Sequence, residues 1–104
     1  MPRRKQVYKI TYPNGKIYVG VDFIGTTVVY FGSQSPATKA RIAADLDYCR
    51  RDFTVRKEIL WESETATDAE ARAKEIELIR ATGANNPAIG YNGTPRFTPV
   101  AEQP

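Results

Sequence analysis

Residues 12–16, Tyr-Pro-Asn-Gly-Lys, separate two β-patterned runs, Gln6 to Tyr12 and Lys16 to Val21. This turn constrains the fold more than any other stretch, because the length of a hairpin loop decides which residues face each other across its strands. Pro13 presets the first central position of a type I turn, and Gly15 suits the left-handed position that closes a three-residue loop. With Tyr12 and Lys16 as the closing pair, Ile10 lies opposite Tyr18 and Tyr8 opposite Gly20. Tyr8, Tyr12, Lys16 and Tyr18 then share one face. A two-residue Asn14-Gly15 loop would send Tyr8 and Tyr18 to opposite faces, and the proline favours the longer loop.

Two readings of these same-face tyrosines stay open at this level. Aromatic residues are favoured in strands because they fill a half-buried pleated surface, so they could be core. Alternatively, two phenol hydroxyls, the Lys16 ammonium and the bare Gly20 backbone could form a phosphate-binding pocket in which a tyrosine relays a water proton.

The rest of the chain fits one α/β (α+β) domain, a small, mostly antiparallel three-stranded sheet flanked by helices, over residues 6–95. Residues 1–5 read as a basic N-terminal tail and 96–104 as a C-terminal tail. After Gly25, Thr-Thr-Val-Val-Tyr-Phe-Gly predicts a short strand closed by Gly32. Ser35 as N-cap and Pro36 at the first helical position predict a helix over about 36–50, with Ile42, Leu46 and Cys49 as its apolar stripe. The alternation of Phe53 and Val55 with charged neighbours, ending in Ile59-Leu60-Trp61, predicts a central strand. Thr67 with Glu70 forms a capping-box pattern and Gly83 a C-cap for a second helix.

Composition narrows the chemistry. The chain has 104 residues, one cysteine and no histidine. These exclude an internal disulfide, Ser-His-Asp or Cys-His hydrolysis and histidine-metal nucleases, and leave Tyr, Lys, Glu and Asp for any acid–base work. Cys49 reads as a small core residue. Residues 1–57 carry eleven Lys/Arg against four Asp/Glu, whereas residues 58–104 carry four against eight. Such a basic half suits a polyanionic partner, nucleic acid first among them, although exposed cations also simply keep a domain soluble. No apolar run is long enough to span a membrane and no apolar segment follows the N-terminal charges, so a cytoplasmic protein with no membrane partner is expected.

On the second helix, Ala69, Ala73, Ile76 and Ile79 predict the apolar face, with Glu70, Lys74 and Glu77 opposite. Glu75 belongs to neither set and emerges at the border of the apolar stripe. It reads either as a carboxylate ion-paired to Arg72 or Arg80, or as a metal-binding group held near the sheet by a packed helix.

Taken together, Gln-Val-Tyr-Lys-Ile (6–10), Lys-Ile-Tyr-Val-Gly (16–20), Glu-Ile-Glu-Leu-Ile-Arg (75–80) and Gly-Tyr-Asn (90–92), in that order, resemble the GIY-YIG nuclease domain, in its homing-endonuclease-like branch. The resemblance covers roughly residues 6–95. It implies a metal-dependent endonuclease that hydrolyses nucleic-acid phosphodiesters, DNA most of all. Tyr8 matches the tyrosine of the first motif, and Tyr18 and Gly20 match the tyrosine and glycine of the second. In the family these tyrosines border the scissile phosphate, and one is thought to help activate water. Glu75 matches the family's ligand for one Mg²⁺ (or Mn²⁺), and Asn92 an asparagine that supports the site.

Two departures stand out. The first motif lacks its initial glycine. The arginine that the family places at the start of its first helix has no unambiguous counterpart, and Arg41 or Lys39 is expected to take the cationic role, Arg41 by preference for its bidentate phosphate geometry. Too few residues follow Asn92 for a DNA-reading module, so weak sequence preference, a specificity-conferring partner or self-association is expected. The alternatives are a catalytically inactive nucleic-acid-binding module and a protein-interaction domain of the same fold.

Overall fold

The structure, a computed structural model, describes residues 4–26 and 30–98. Strand β1 (Lys5–Thr11) and strand β2 (Ile17–Asp22) form the expected hairpin, followed by helix α1 (Pro36–Asp45), strand β3 (Arg56–Ser63) and helix α2 (Asp68–Thr82). The turn closes as the proline and glycine dictate. Tyr12 N–H donates to Lys16 O at 2.9 Å and Gly15 N–H to Tyr12 O at 2.8 Å, with Gly15 at φ 84°. Tyr8 pairs with Gly20 and Ile10 with Tyr18, the register expected of a three-residue loop.

The sheet is antiparallel in the order β2-β1-β3. The central strand is therefore β1, and β3, expected at the centre, is an edge. β1 is mostly buried on both faces, whereas β3 carries Arg56, Lys57, Glu58 and Glu62 and is nowhere fully buried, which suits a sheet edge. Val7 pairs with Trp61 but Tyr8 with Ile59, so Leu60 is an extra residue in a β-bulge. The bulge lets Trp61 join Val7 on one face while Ile59 and Lys57 keep company with Tyr8 and Ile10 on the other.

Each face has its own core. Val7, Val19 and Val21 pack against Ala71, Ile79 and Ala84, so α2 covers this side. Ile10 and Tyr12 pack with Leu46 and Tyr91 on the other, with Ile42 and Cys49 partly buried beside them. Helix α1 is shorter than the expected 36–50. Ser35 caps it through Thr38 N–H and Pro36 opens it, but the chain leaves helical dihedrals at Leu46 and continues as a 3₁₀ turn, Asp47–Cys49. Asp, Tyr and Cys are weak helix formers, so little opposes the change.

Helix α2 has both expected ends, a reciprocal Thr67–Glu70 capping box and Gly83 in the left-handed C-cap conformation. Its buried face differs from expectation. Ala71 and Ile79 are buried and Leu78 packs beside them, while Ala69, Ala73 and Ile76 face out. The inward stripe is thus 71-75-78-79, and Glu75 lies within it rather than at its border. The short strand expected from Thr26 falls partly on residues 27–29, outside the described residues, and Tyr30 to Gly32 form no regular structure. Arg4 and Lys5, expected in a tail, are engaged, Arg4 pairing with Glu62 and Glu64. Among the described residues no helix is long and apolar enough to cross a membrane.

Asp22 ends β2 and is almost fully buried. Its Oδ1 accepts from Ile24 and Gly25 N–H, and its Oδ2 from Thr26 N–H and Oγ1, at 2.8–3.0 Å. Burial alone would raise this carboxyl's pKa, but the four donors hold it below the usual range. A depressed folded pKa contributes stability that is present above the unfolded value and is lost as pH falls through the folded one. Asp22→Asn should therefore lower stability at pH 7 by about 1–3 kcal/mol. In urea melts the gap from wild type should narrow below pH ~4, where the unfolded chain's carboxylate begins to protonate while the folded one still holds its charge.

Candidate active site

The two phenols meet at the β2 edge because the strand there has no side chain to keep them apart. The Tyr8 ring lies across Gly20, where a Cβ would fall 2.6 Å from Tyr8 Cζ and closer still to its hydroxyl. Gly32 approaches from above, where a Cβ would be 2.8 Å from Tyr8 Oη and 3.0 Å from Tyr18 Cε2. Tyr8 thus reaches from the central strand over the edge strand, between two glycine backbones, to a cleft of about 490 Å³. Tyr8, Tyr18, Asp22, Tyr30, Arg72 and Glu75 line this cleft. The space above Gly20 that the sequence offers as a pocket floor is filled by the Tyr8 ring, and the cleft opens beyond it.

Glu75 comes to the cleft from α2. Its side chain is only 15% exposed, and Arg72 Nη1 lies 3.4 Å from its Oε1. Burial raises the Glu75 pKa, and the Arg72 guanidinium opposes the rise. Tyr18 is pushed up to about 12, by burial first and by the Glu75 charge next. Tyr8 is raised further, by burial and then by Tyr18, Tyr30, Glu75 and Asp22. Both phenols are therefore protonated at neutral pH. Neither hydroxyl has a hydrogen-bond partner among the described residues; Tyr18 is half-buried, and Tyr8 is almost fully buried with its hydroxyl between the two glycines.

Asn92 does not enter the cleft but secures the strand that forms it. Its Oδ1 accepts from Val19 N–H at 2.8 Å and its Nδ2 donates to Val19 O at 2.7 Å. The amide satisfies both outward backbone groups of Val19, between Tyr18 and Gly20, as a neighbouring strand would. Ile17 N–H donates to Ile89 O and Tyr91 N–H to Ile17 O, so residues 89–92 cover the β2 edge. The backbone passes so close at Gly90 that a Cβ would lie 2.7 Å from Ile17 O.

The cations expected from the sequence lie elsewhere. Lys16 pairs with Asp45 at 3.6 Å and sits over the Tyr91 ring. Arg41 stacks on the same ring at 5.3 Å. Tyr91, buried beneath them, donates to Asp45 Oδ2 at 2.7 Å, which ties α1 to the residues covering β2. Lys39 lies on a separate groove beside α1. At the cleft itself the cations are Arg72, whose guanidinium also rests on the Phe23 ring at 5.0 Å, and Lys57, whose ammonium lies 4.6 Å from the Tyr8 ring centroid. Lys57 also donates to Tyr30 O, and burial lowers its pKa.

Sequence reasoning missed Tyr30, Gly32, Asp22 and Lys57 as neighbours of the site. The spacing of Arg72, one turn before Glu75, was a readable signal. Lys57 reaches Tyr8 only through the β1–β3 pairing, which no local pattern displays.

No family model, curated protein or solved structure matches the chain.

The contact between Tyr8 and Gly20 is directly testable. Gly20→Ala should destabilise the protein by about 1–3 kcal/mol through overpacking against the Tyr8 ring. In a Tyr8→Leu background the same change should have little effect, giving a coupling in urea denaturation well outside additivity.

Proposed function

We propose that this protein is a metal-dependent endonuclease acting on nucleic-acid phosphodiesters, DNA most of all, as its resemblance to the GIY-YIG nucleases implies. The observation that carries the reading is the convergence of Tyr8, Tyr18 and Glu75, from three separate elements, on one cleft. All three bring hard oxygen atoms, and both hydroxyls are unpartnered among the described residues.

The donor set suits Mg²⁺ or Mn²⁺. Among the described residues there is no cluster of three or more carboxylate, histidine or cysteine side chains, so a cation at Glu75 would draw its other ligands from water and substrate phosphate, the habit of Mg²⁺. Asp22 lines the same cleft, but four donors already occupy its oxygens. When bound, the cation supplies charge stabilisation at the phosphate and a more acidic water.

The protein's own groups divide the remaining work. Tyr18 and Tyr8, protonated as folded, donate hydrogen bonds to phosphate oxygen or hold the attacking water. Glu75's charge is one of the influences that keep Tyr8 protonated, so neutralising that charge moves Tyr8 toward proton acceptance. Arg72, already in the cleft, takes the cationic role expected of Arg41 or Lys39. Releasing Glu75 frees its guanidinium to meet charge developing on the phosphate.

Supercoiled-plasmid nicking tests the scheme. Wild type should nick with Mg²⁺ or Mn²⁺ and not with EDTA, and Glu75→Ala should abolish the activity. Arg72→Ala should lower the rate by about 10²–10³-fold, the loss seen when one preorganised charge-stabilising donor is removed. Arg41→Ala should stay within a few-fold of wild type. Salt-sensitive binding with no divalent-dependent cleavage by wild type would instead favour an inactive nucleic-acid-binding module.

A further inference from the structure

Helix α1 lies over the Ile10 and Tyr12 face of the sheet but fully buries none of its ten residues. Between it and the sheet runs a groove of about 760 Å³, within the range of about 300–1,000 Å³ usual for small-ligand pockets. Ile10, Ile42, Leu46 and Val55 form its apolar walls. Two aromatic rings also line it and stay open to solvent, Phe31 at 41% exposure and Phe53 at 48%.

The surroundings of the groove are basic. Lys39 and Arg50 line it, and Arg51 adjoins it in sequence. Lys39 and Arg51 make no ion pair among the described residues, and Asp47, the one acid among the described residues that line the groove, is exposed and paired with Arg50 at 3.3 Å. Gln34 also lines it. Its Nε2 donates to Phe31 O, while its Oε1 has no partner among the described residues. One short segment, residues 30–34, walls both openings, since Tyr30 and Ser33 face the cleft and Phe31, Gly32 and Gln34 face the groove.

We propose that this groove takes an unpaired nucleobase of a single-stranded nucleic acid whose adjoining backbone runs along the basic rim, next to the cleft. Exposed rings beside uncompensated cations are the elements of a single-strand platform, where bases stack on aromatic side chains and phosphates track the charge. A free amide oxygen at the wall suits the edge of an unstacked base, which a duplex does not present there. A second copy of this chain fits less well, because an isologous contact through this face would set Lys39 and Arg51 against themselves. The proposal rests on the nucleic-acid reading above, and it narrows the substrate to strands with unpaired bases.

Binding measured without catalysis separates the two. With EDTA and low salt, anisotropy of a labelled oligothymidylate and of a mixed-sequence duplex of equal length is followed for wild type, Phe31→Leu/Phe53→Leu and Phe31→Tyr/Phe53→Tyr. The leucine pair keeps the apolar lining and removes the rings. It should weaken single-strand binding by about tenfold or more, as expected for lost base stacking, and change duplex binding less than about twofold. The tyrosine pair should retain single-strand affinity. Circular dichroism checks that each variant is folded. Single-strand affinity unchanged in the leucine pair, or lost equally for duplex, would overturn the proposal while leaving the nuclease reading intact. Dimerisation of wild type that the leucine pair abolishes would assign the groove to a second copy and also overturn it. Failure of wild type to bind either nucleic acid would sink both readings, whereas ring-dependent single-strand binding without metal-dependent cleavage would sink only the nuclease.

Discussion

The passage of the Tyr8 ring across Gly20 is the contact on which the rest of the molecule depends. A central-strand side chain ordinarily cannot reach past an edge strand, because the residue opposite it stands in the way. Here that residue is glycine, and the backbone at Gly32 closes over the hydroxyl from the other side. The register that makes Tyr8 and Gly20 partners comes from the Tyr12–Lys16 turn, and the edge strand carrying Gly20 is held by the Asn92 amide and residues 89–91. Turn, glycine and asparagine thus serve one end, which is to bring two phenols to the same opening.

The electrostatics of that opening follow from burial. Glu75 lies in the inward stripe of α2, and desolvation raises the pKa of both the carboxyl and the phenols around it. Arg72 offsets part of this at Glu75 and cushions itself on Phe23. A half-buried carboxylate with one partner, beside hydroxyls with none among the described residues, suits exchange of Arg72 for another cation. It is less suited to pure structural support, for which a well-packed apolar residue would serve as well or better. Asp22 illustrates the contrast, since its oxygens are consumed by the loop that it closes.

Much of this was legible because the signals are local. Pro13 and Gly15 declared the turn and hence the register. Ser35, Pro36, Thr67, Glu70 and Gly83 declared the ends of the helices through groups that act within a few residues of themselves. The face of α2 was misjudged because small and apolar residues surround that helix on several sides, and the sheet's contour, not periodicity alone, selected Ala71, Leu78 and Ile79. The place of β3 was misjudged for a related reason, since an alternating strand with charged neighbours reads the same at the centre as at the edge until its pairing is known.

Sequence by itself determined the hairpin register, the helix caps and the oddity of Glu75, because each is set by backbone preference or spacing over a few residues. Only the tertiary structure decided which cations attend the cleft. Arg41 and Lys16 are drawn to the Tyr91 ring and Asp45, whereas Arg72 and Lys57 arrive beside the tyrosines through helix packing and a bulged strand pairing. Those placements depend on contacts between residues far apart in the chain, where long flexible side chains settle wherever a buried ring or carboxylate gives them the better partner.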